Sequence, residues 1–573
     1  MQPNRIVRRV CWACLLLVSP AAMNCIAEED RNPESRTVRV AAISFVPVKF
    51  DLEGNARRME AAFREARQGG AQIAVAPEGA LEGYVVNEII AGEVDEKRMH
   101  DVAVPIDHPV IRRFQELARE LEMCLVFGLA EQINDDVFNC AVFIDHSGKI
   151  SGKYHKMQLA EGYHPSWWFN RLGQRSRAFD TPFGRCGLLI CNDRWNPRLA
   201  RIPALDGAQF LIIPSMGSRS KVQDEAVLSR GRENGVPVVE ANVGVTLVVN
   251  NNVITNVDRQ EEVITFGEIT VASAANRRPA DRDRVEQEFL EWRKHEMQRR
   301  LHRRHRSNRK KARKESGNGW IPAVTQVIAF AGGPGPENTL AAVKQSLNLD
   351  VRMLEFDVRL TSDRVAVLMH DADISRTTDA TGNIADMTFA EVRKLDAGAK
   401  YVDPATGTRR FQGERVPSLA DVLKVVIGKD ITVLLDVKDS EAVLPVIEVV
   451  GQFQAFDRVV FRVEDDTEIQ RLKKIERRVQ CAPRVLLSRH ETSQLLDRLN
   501  QPGVVACTPE PWQELTPTLI SRFHRAGVAV WVTGADRPED VHQMIDAGID
   551  GLFTSSPAEV KRLICDTKLR TSG

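Results

Sequence analysis

The chain has 573 residues, more than one ordinary hydrophobic core accommodates and enough for two large domains. Hydrophobic residues make up 43% and charged residues 27%, which excludes a disordered or fibrous chain. Lys plus Arg (78) balance Asp plus Glu (78), so the net charge gives no ground for a specific nucleic-acid partner.

Residues 1–27 open with Arg5, Arg8 and Arg9, run through an apolar stretch at 10–18 and end in small residues up to Ala27. That is the pattern of a secretory signal peptide cut after Ala27, its apolar run being short for a membrane span of about 20 residues; an uncleaved anchor is the other reading. It predicts an exported protein of the periplasm, cell envelope or medium. Of the ten cysteines, Cys11, Cys14 and Cys25 fall in this stretch. The others (Cys124, Cys140, Cys186, Cys191, Cys481, Cys507 and Cys565) lack metal-ligand spacing and the density of a disulfide scaffold.

Residues 37–275 alternate apolar strands with amphipathic helices, an α/β layout. Strands are predicted at 38–43, 73–76, 124–128, 137–144, 187–190 and 210–213, and helices at 55–68 and 108–121. Three polar segments stand close behind strands: Pro77-Glu78-Gly79, Lys153-Tyr154-His155-Lys156 and Cys191-Asn192-Asp193-Arg194-Trp195. Their chemistry is coherent. A thiolate from Cys191 is a competent nucleophile for an amide, and Glu78 is a base for its proton. Lys156 and the backbone amide of Asn192 are candidates to hold an oxyanion.

These segments resemble the nitrilase, or carbon–nitrogen hydrolase, superfamily over almost the whole stretch. The resemblance extends through the lead-in from Phe179 to Cys191, Leu205-Asp206-Gly207-Ala208, Ile213-Pro214-Ser215, Arg232-Glu233-Asn234-Gly235 and Glu240-Ala241-Asn242. It implies a four-layer α-β-β-α sandwich, catalytic Glu78, Lys156 and Cys191, no cofactor, and a small amide, carbamoyl or nitrile substrate. It also carries a second catalytic glutamate onto Glu161, which sits closer to Lys156 than is usual. The Asn192-Asp193-Arg194 run resembles N-carbamoyl-D-amino acid amidohydrolases, which implies substrate binding by Asn192 and by Arg194 through a bidentate carboxylate contact. A structural ion pair is the other reading of Arg194. Tyr163, Trp167 and Trp168 are read as pocket lining or as core.

Residues 276–320 form a basic helix and linker. Arg293 to Lys314 is dominated by Arg, Lys and His, and Ser316-Gly317-Asn318-Gly319 follows. A solvated helix running into a linker is one reading, and a contact with anionic lipid headgroups is the other.

Residues 324–565 alternate strands and helices again, with strands at 327–330, 353–358, 366–369, 432–437, 459–461, 485–487, 504–506, 528–532 and 551–553. Repeated βα units predict a closed barrel of parallel strands. Glu355 and Asp357 are two apart on a strand and share a face. With Asp436 they make an oxygen set suited to Ca²⁺ or Mg²⁺, and His370 at a strand end suits general acid chemistry. Pro336-Glu337-Asn338-Thr339-Leu340, Glu355-Phe356-Asp357, Met369-His370-Asp371, Val416-Pro417-Ser418-Leu419 and Leu435-Asp436-Val437-Lys438 resemble glycerophosphodiester phosphodiesterases. The resemblance implies a (β/α)8 TIM barrel that acts on a glycerophosphodiester. Two positions depart from it. Phe330-Ala331 stands where the family opens with His-Arg, and Asp436 stands where it has glutamate.

The expected function is an exported thiol hydrolase of non-peptide C–N bonds fused to a diesterase-like barrel, with a homo-oligomeric state. Two other readings stay open: a metal-dependent phosphodiester hydrolase of lipid metabolism, and a non-catalytic scaffold that binds phosphodiesters or the envelope.

Overall fold

The computed structural model of the protein describes residues 35–217, 219–316, 321–322, 324–404, 406–487, 492–534 and 537–572. The signal-peptide reading of residues 1–27 and the Gly317-Asn318-Gly319 punctuation lie outside them. Among the described residues no helix is long and apolar enough to cross a membrane.

The first half is built on twelve strands: β1 (Arg36–Ser44), β2 (Ile73–Val75), β3 (Cys124–Ile133), β4 (Asp136–Ile144), β5 (Ile150–His155), β6 (Phe179–Thr181), β7 (Gly184–Leu188), β8 (Phe210–Ser215), β9 (Val238–Asn242), β10 (Val245–Asn250), β11 (Val253–Asp258) and β12 (Val263–Val271). They form two six-stranded sheets, in the orders β12-β1-β2-β3-β4-β5 and β11-β10-β9-β8-β7-β6. Strand alternation decides the layering. On β1, Val38, Val40 and Ala42 face the second sheet, while Ala41 and Ile43 face helices on the other side.

Those helices are α1 (Leu52–Gln68) and α3 (Pro109–Leu121); the short α2 (Val86–Ile90) lies between them in the chain. The α1 helix buries Ala56, Met59, Phe63 and Ala66 at helical spacing, and the Asp51 carboxylate caps it by accepting the Gly54 N–H at 2.9 Å. Against the second sheet pack α4 (Pro197–Leu205) and α5 (Lys221–Asn234). The result is the four-layer α-β-β-α sandwich expected from the sequence.

The second half closes into a barrel. Its strands are β13 (Gln326–Ala329), β14 (Met353–Leu360), β15 (Ala366–Leu368), β16 (Thr432–Val437), β17 (Val459–Val463), β18 (Gln480–Leu486), β19 (Ala506–Glu510), β20 (Ala529–Val532) and β21 (Gly551–Thr554). β13 pairs in parallel with both β14 and β21, which closes a ring of eight parallel strands. β15 pairs antiparallel on β14. Ile328, Met353, Leu434, Val460, Trp531 and Phe553 belong to the cluster that fills the interior, as in a TIM barrel.

The basic segment is a continuous helix, α6 (Pro279–Ser316), of 38 residues. At 1.5 Å per residue it is about 57 Å long. Val285 and Phe289 join the first core, Leu301 packs with α2, and Ala312 joins the barrel cluster. Much of its charge is spent internally. Arg293 donates to the carbonyls of Met157 and Gly173, Glu296 pairs with Arg299, Arg300 and Arg303, and His302 meets Asp546. Arg309, buried, donates to the Ile549 carbonyl at 2.8 Å. The solvated-helix reading is corrected accordingly: these cations have partners in both halves of the chain.

Candidate functional site

Glu78, Lys156 and Cys191 follow the C-terminal ends of β2, β5 and β7, where side chains leave the sheets and can converge. The approach of the Glu78 loop to β3 requires a bare backbone: a Cβ on Gly128 would lie 2.6 Å from the Glu78 Cα. Glu78 and Lys156 are fully buried, with Lys156 Nζ 2.5 Å from Glu78 Oε1. Asn139 Nδ2 donates to the same oxygen at 2.7 Å, and the Met216 N–H donates to Glu78 Oε2 at 3.1 Å. The Cys191 thiol donates to the Met216 carbonyl at 3.5 Å. One residue at the end of β8 therefore touches both the carboxylate and the sulfur. Cys191 opens a short 3₁₀ turn with φ of 45°, the left-handed region that an L side chain seldom adopts.

Glu161 joins the same cluster. It accepts the Tyr84 hydroxyl, and the Tyr84 ring centroid lies 5.5 Å from Lys156 Nζ. Burial and the Glu78 charge push the Cys191 thiol up to about 12, against the opposing pull of Arg194 and Lys156. The sulfur at rest is a thiol and needs a base in the reacting step. Burial alone would lower Lys156, but the neighbouring carboxylate charges, Glu78 foremost, outweigh it and hold the proton on the ammonium.

The turn after the thiol is clasped from below. Asp193, raised to about 6 by burial, accepts the Ile190 N–H at 3.0 Å, the Tyr154 hydroxyl at 2.8 Å and the Gln158 N–H at 2.9 Å. The Asn192 side chain donates to the Gln158 carbonyl at 2.9 Å, so the side chain serves the clasp and its backbone N–H stands at the start of the turn. Arg194 departs from the substrate-binding expectation. It is 1% exposed, and its Nη1 donates to Ser215 Oγ and Glu240 Oε1, both at 2.9 Å. The ion-pair reading is the one the geometry supports. Trp167 is fully buried beside Phe169, a core residue. Sequence reasoning missed Tyr84, Asn139 and Met216, which enter the site only through folding; none carries a local signature.

In the barrel, Glu355 and Asp357 on β14 meet Asp436 on β16, with ligand oxygens within 4.8 Å of one another. Two cations stand on the same oxygens. Lys438 Nζ lies 3.0 Å from Asp357 Oδ1 and 2.7 Å from Asp436 Oδ2. Arg462 Nη1 lies 3.1 Å from Glu355 Oε1 and 3.6 Å from Asp436 Oδ2. The Ala331 N–H occupies Glu355 Oε2 at 2.9 Å, and Asn338 Nδ2 occupies Asp357 Oδ2 at 2.9 Å. His370 is half-exposed and bonds Asp371 at 2.7 Å. Phe330 is 40% exposed after β13.

Residues 39–278 match the family model described as carbon–nitrogen hydrolase, and residues 331–559 match the glycerophosphoryl diester phosphodiesterase family. The chain is 30% identical over 262 residues to a glycerophosphodiester phosphodiesterase of Caldanaerobacter subterraneus subsp. tengcongensis, covering 42% of this chain and 98% of that protein. It is 31% identical over 221 residues to the N-carbamoylputrescine amidase of Solanum tuberosum, covering 38% of this chain and 71% of that protein. Among solved structures, an amidase from Nesterenkonia sp. aligns over 43% of this chain and 95% of its own, at 22% identity and a TM-score of 0.36.

Proposed function

The chain belongs to the carbon–nitrogen hydrolase family through its first half and to the glycerophosphoryl diester phosphodiesterase family through its second, and from that premise we propose that it hydrolyses non-peptide C–N bonds at Cys191. The observation that carries the reading is the contact set around Met216, whose N–H meets Glu78 and whose carbonyl meets the thiol. Glu78 takes the thiol proton as the sulfur attacks the carbonyl carbon. The oxyanion develops against Lys156 and the Asn192 N–H. Collapse breaks the C–N bond, and Glu78 returns the proton to the departing amine or ammonia. Water, deprotonated by the same carboxylate, then cleaves the thioester and frees the thiol. Glu161, accepting from Tyr84, holds the ring beside Lys156.

The substrate class is a small amide or carbamoyl compound, the latter in keeping with the amidase relative's name. Arg194 is committed to Glu240, so the substrate needs no carboxylate to meet it. The pattern of residues 1–27 supports action outside the cytoplasm.

The test is ammonia release from a panel of amides, carbamoyl amines, carbamoyl amino acids and nitriles. Cys191→Ala and Glu78→Gln should each lower turnover by at least about 10³-fold while the protein stays folded. Turnover at the parental rate in Cys191→Ala would sink the reading.

A further inference from the structure

We propose that Arg462 takes the place of a divalent cation in the barrel, so that the second half of the chain carries a metal-free site balanced by its own side chains. The three carboxylates have the oxygen chemistry of a Ca²⁺ or Mg²⁺ site. The residues around them do not fit such an ion. Arg462 comes from β17, in register with Asp436, and its side chain is 10% exposed. Its guanidinium reaches past Asp436 to Glu355, which lies on the next strand over. The Phe553 ring lies under it, with the centroid 5.0 Å from the guanidinium carbon. A guanidinium in this position cannot shed its charge by deprotonation.

The oxygens are also occupied individually. Glu355 is taken by Arg462 and the Ala331 N–H, and Asp357 by Lys438 and Asn338. Asp436 Oδ2 serves Lys438 and Arg462 together. An ion bound by Glu355 and Asp436 would share both carboxylates with a fixed guanidinium, setting like charges against each other in a buried mouth. Ca²⁺ takes six to eight oxygen ligands at about 2.3–2.6 Å, and Mg²⁺ demands a near-ideal octahedron. Neither can be assembled without evicting Arg462.

A second, independent observation agrees. At the end of β13 the chain presents Phe330, which holds no proton, and Ala331, whose N–H is already committed to Glu355. The same mouth thus has no proton-transfer group where its first strand ends. This inference concerns the barrel and stands or falls apart from the hydrolase site.

The experiment is thermal unfolding of the full chain in EDTA and in millimolar Ca²⁺ or Mg²⁺. The parent protein should melt identically in all three. Arg462→Ser should melt lower in EDTA and recover in Ca²⁺ or Mg²⁺, because Glu355 then loses its cation, Asp436 keeps only Lys438, and an ion can replace the guanidinium. Adding Asp357→Asn to that variant should abolish the recovery. The proposal is overturned if the parent's melting temperature rises with either ion and Asp357→Asn erases the rise. It is equally overturned if folded Arg462→Ser is indifferent to both ions. Should Arg462→Ser fail to accumulate, calorimetric titration of the parent decides. Saturable micromolar binding erased by Asp357→Asn overturns the proposal, and the absence of binding supports it.

Discussion

Arg194 sits three residues beyond the thiol, and its charge helps hold the Cys191 proton affinity down while its Nη1 serves Glu240. Removing one partner of a buried pair leaves the other charge unpaired, at a cost of about 3–5 kcal/mol. Arg194→Met should therefore lower the melting temperature and reduce turnover on every substrate alike. Unchanged melting with a KM rise confined to carboxylate-bearing substrates would restore the substrate-binding role. The contrast with Glu78 and Cys191 shows what a sequence exposes. Those two follow short apolar strands, so their placement is local and legible. The partner of Arg194 lies 46 residues away and that of Arg462 lies 107 away. No spacing rule reaches that far, and the strand expected at 459–461 stops one residue short of Arg462.

At the scale of elements, the strands were legible because their apolar runs are short and bounded, and α1 because its buried residues recur at helical spacing. The α6 segment was legible as a basic helix, but neither its full length nor its partners were. Beyond Trp292 its sequence shows charge without an apolar stripe, and apart from Glu296 the groups that hold its buried cations belong to other elements. Arg293 shows what that costs to remove. It donates to the carbonyl of Met157, the residue after Lys156, and to that of Gly173. Arg293→Ala should destabilise the protein by about 1–3 kcal/mol and lower kcat, as the strand end bearing Lys156 loosens. Arg284→Ala is the control: that side chain is 62% exposed and pairs with Glu288 on the same helix face. Exposed pairs are worth about 0–1 kcal/mol, so equal losses in the two variants, by chemical denaturation, would refute the anchoring role.

At the scale of the molecule, the two halves meet beside the hydrolase site. The barrel helix Pro517–Arg525 presents Arg522 to Asp95 at 2.9 Å, and Arg525 to Glu93 at 2.6 Å. The loop it grips continues α2, which begins two residues after Tyr84, the ring beside Lys156. The barrel thereby braces one wall of the first site, a relation hidden in a sequence where each half resembles a family complete in itself. Reversing both charges, with Arg522→Glu and Arg525→Glu in the full chain, should slow amide hydrolysis by up to roughly tenfold, the equivalent of about 1.4 kcal/mol. Steady-state kinetics at parental values, with the fold intact by circular dichroism, would show that the barrel is merely attached.

The continuity of α6 has a mechanical consequence. A helix bends sharply only where its hydrogen-bond ladder is interrupted, and after Pro279 the segment Pro279–Ser316 contains neither proline nor glycine. It leaves the two halves without a hinge along its length, so a displacement at one end is carried to the other as by a rod. Amide hydrogen exchange along α6 should then rise and fall with the opening of both halves, with no slow-to-fast boundary between Phe289 and Ala312.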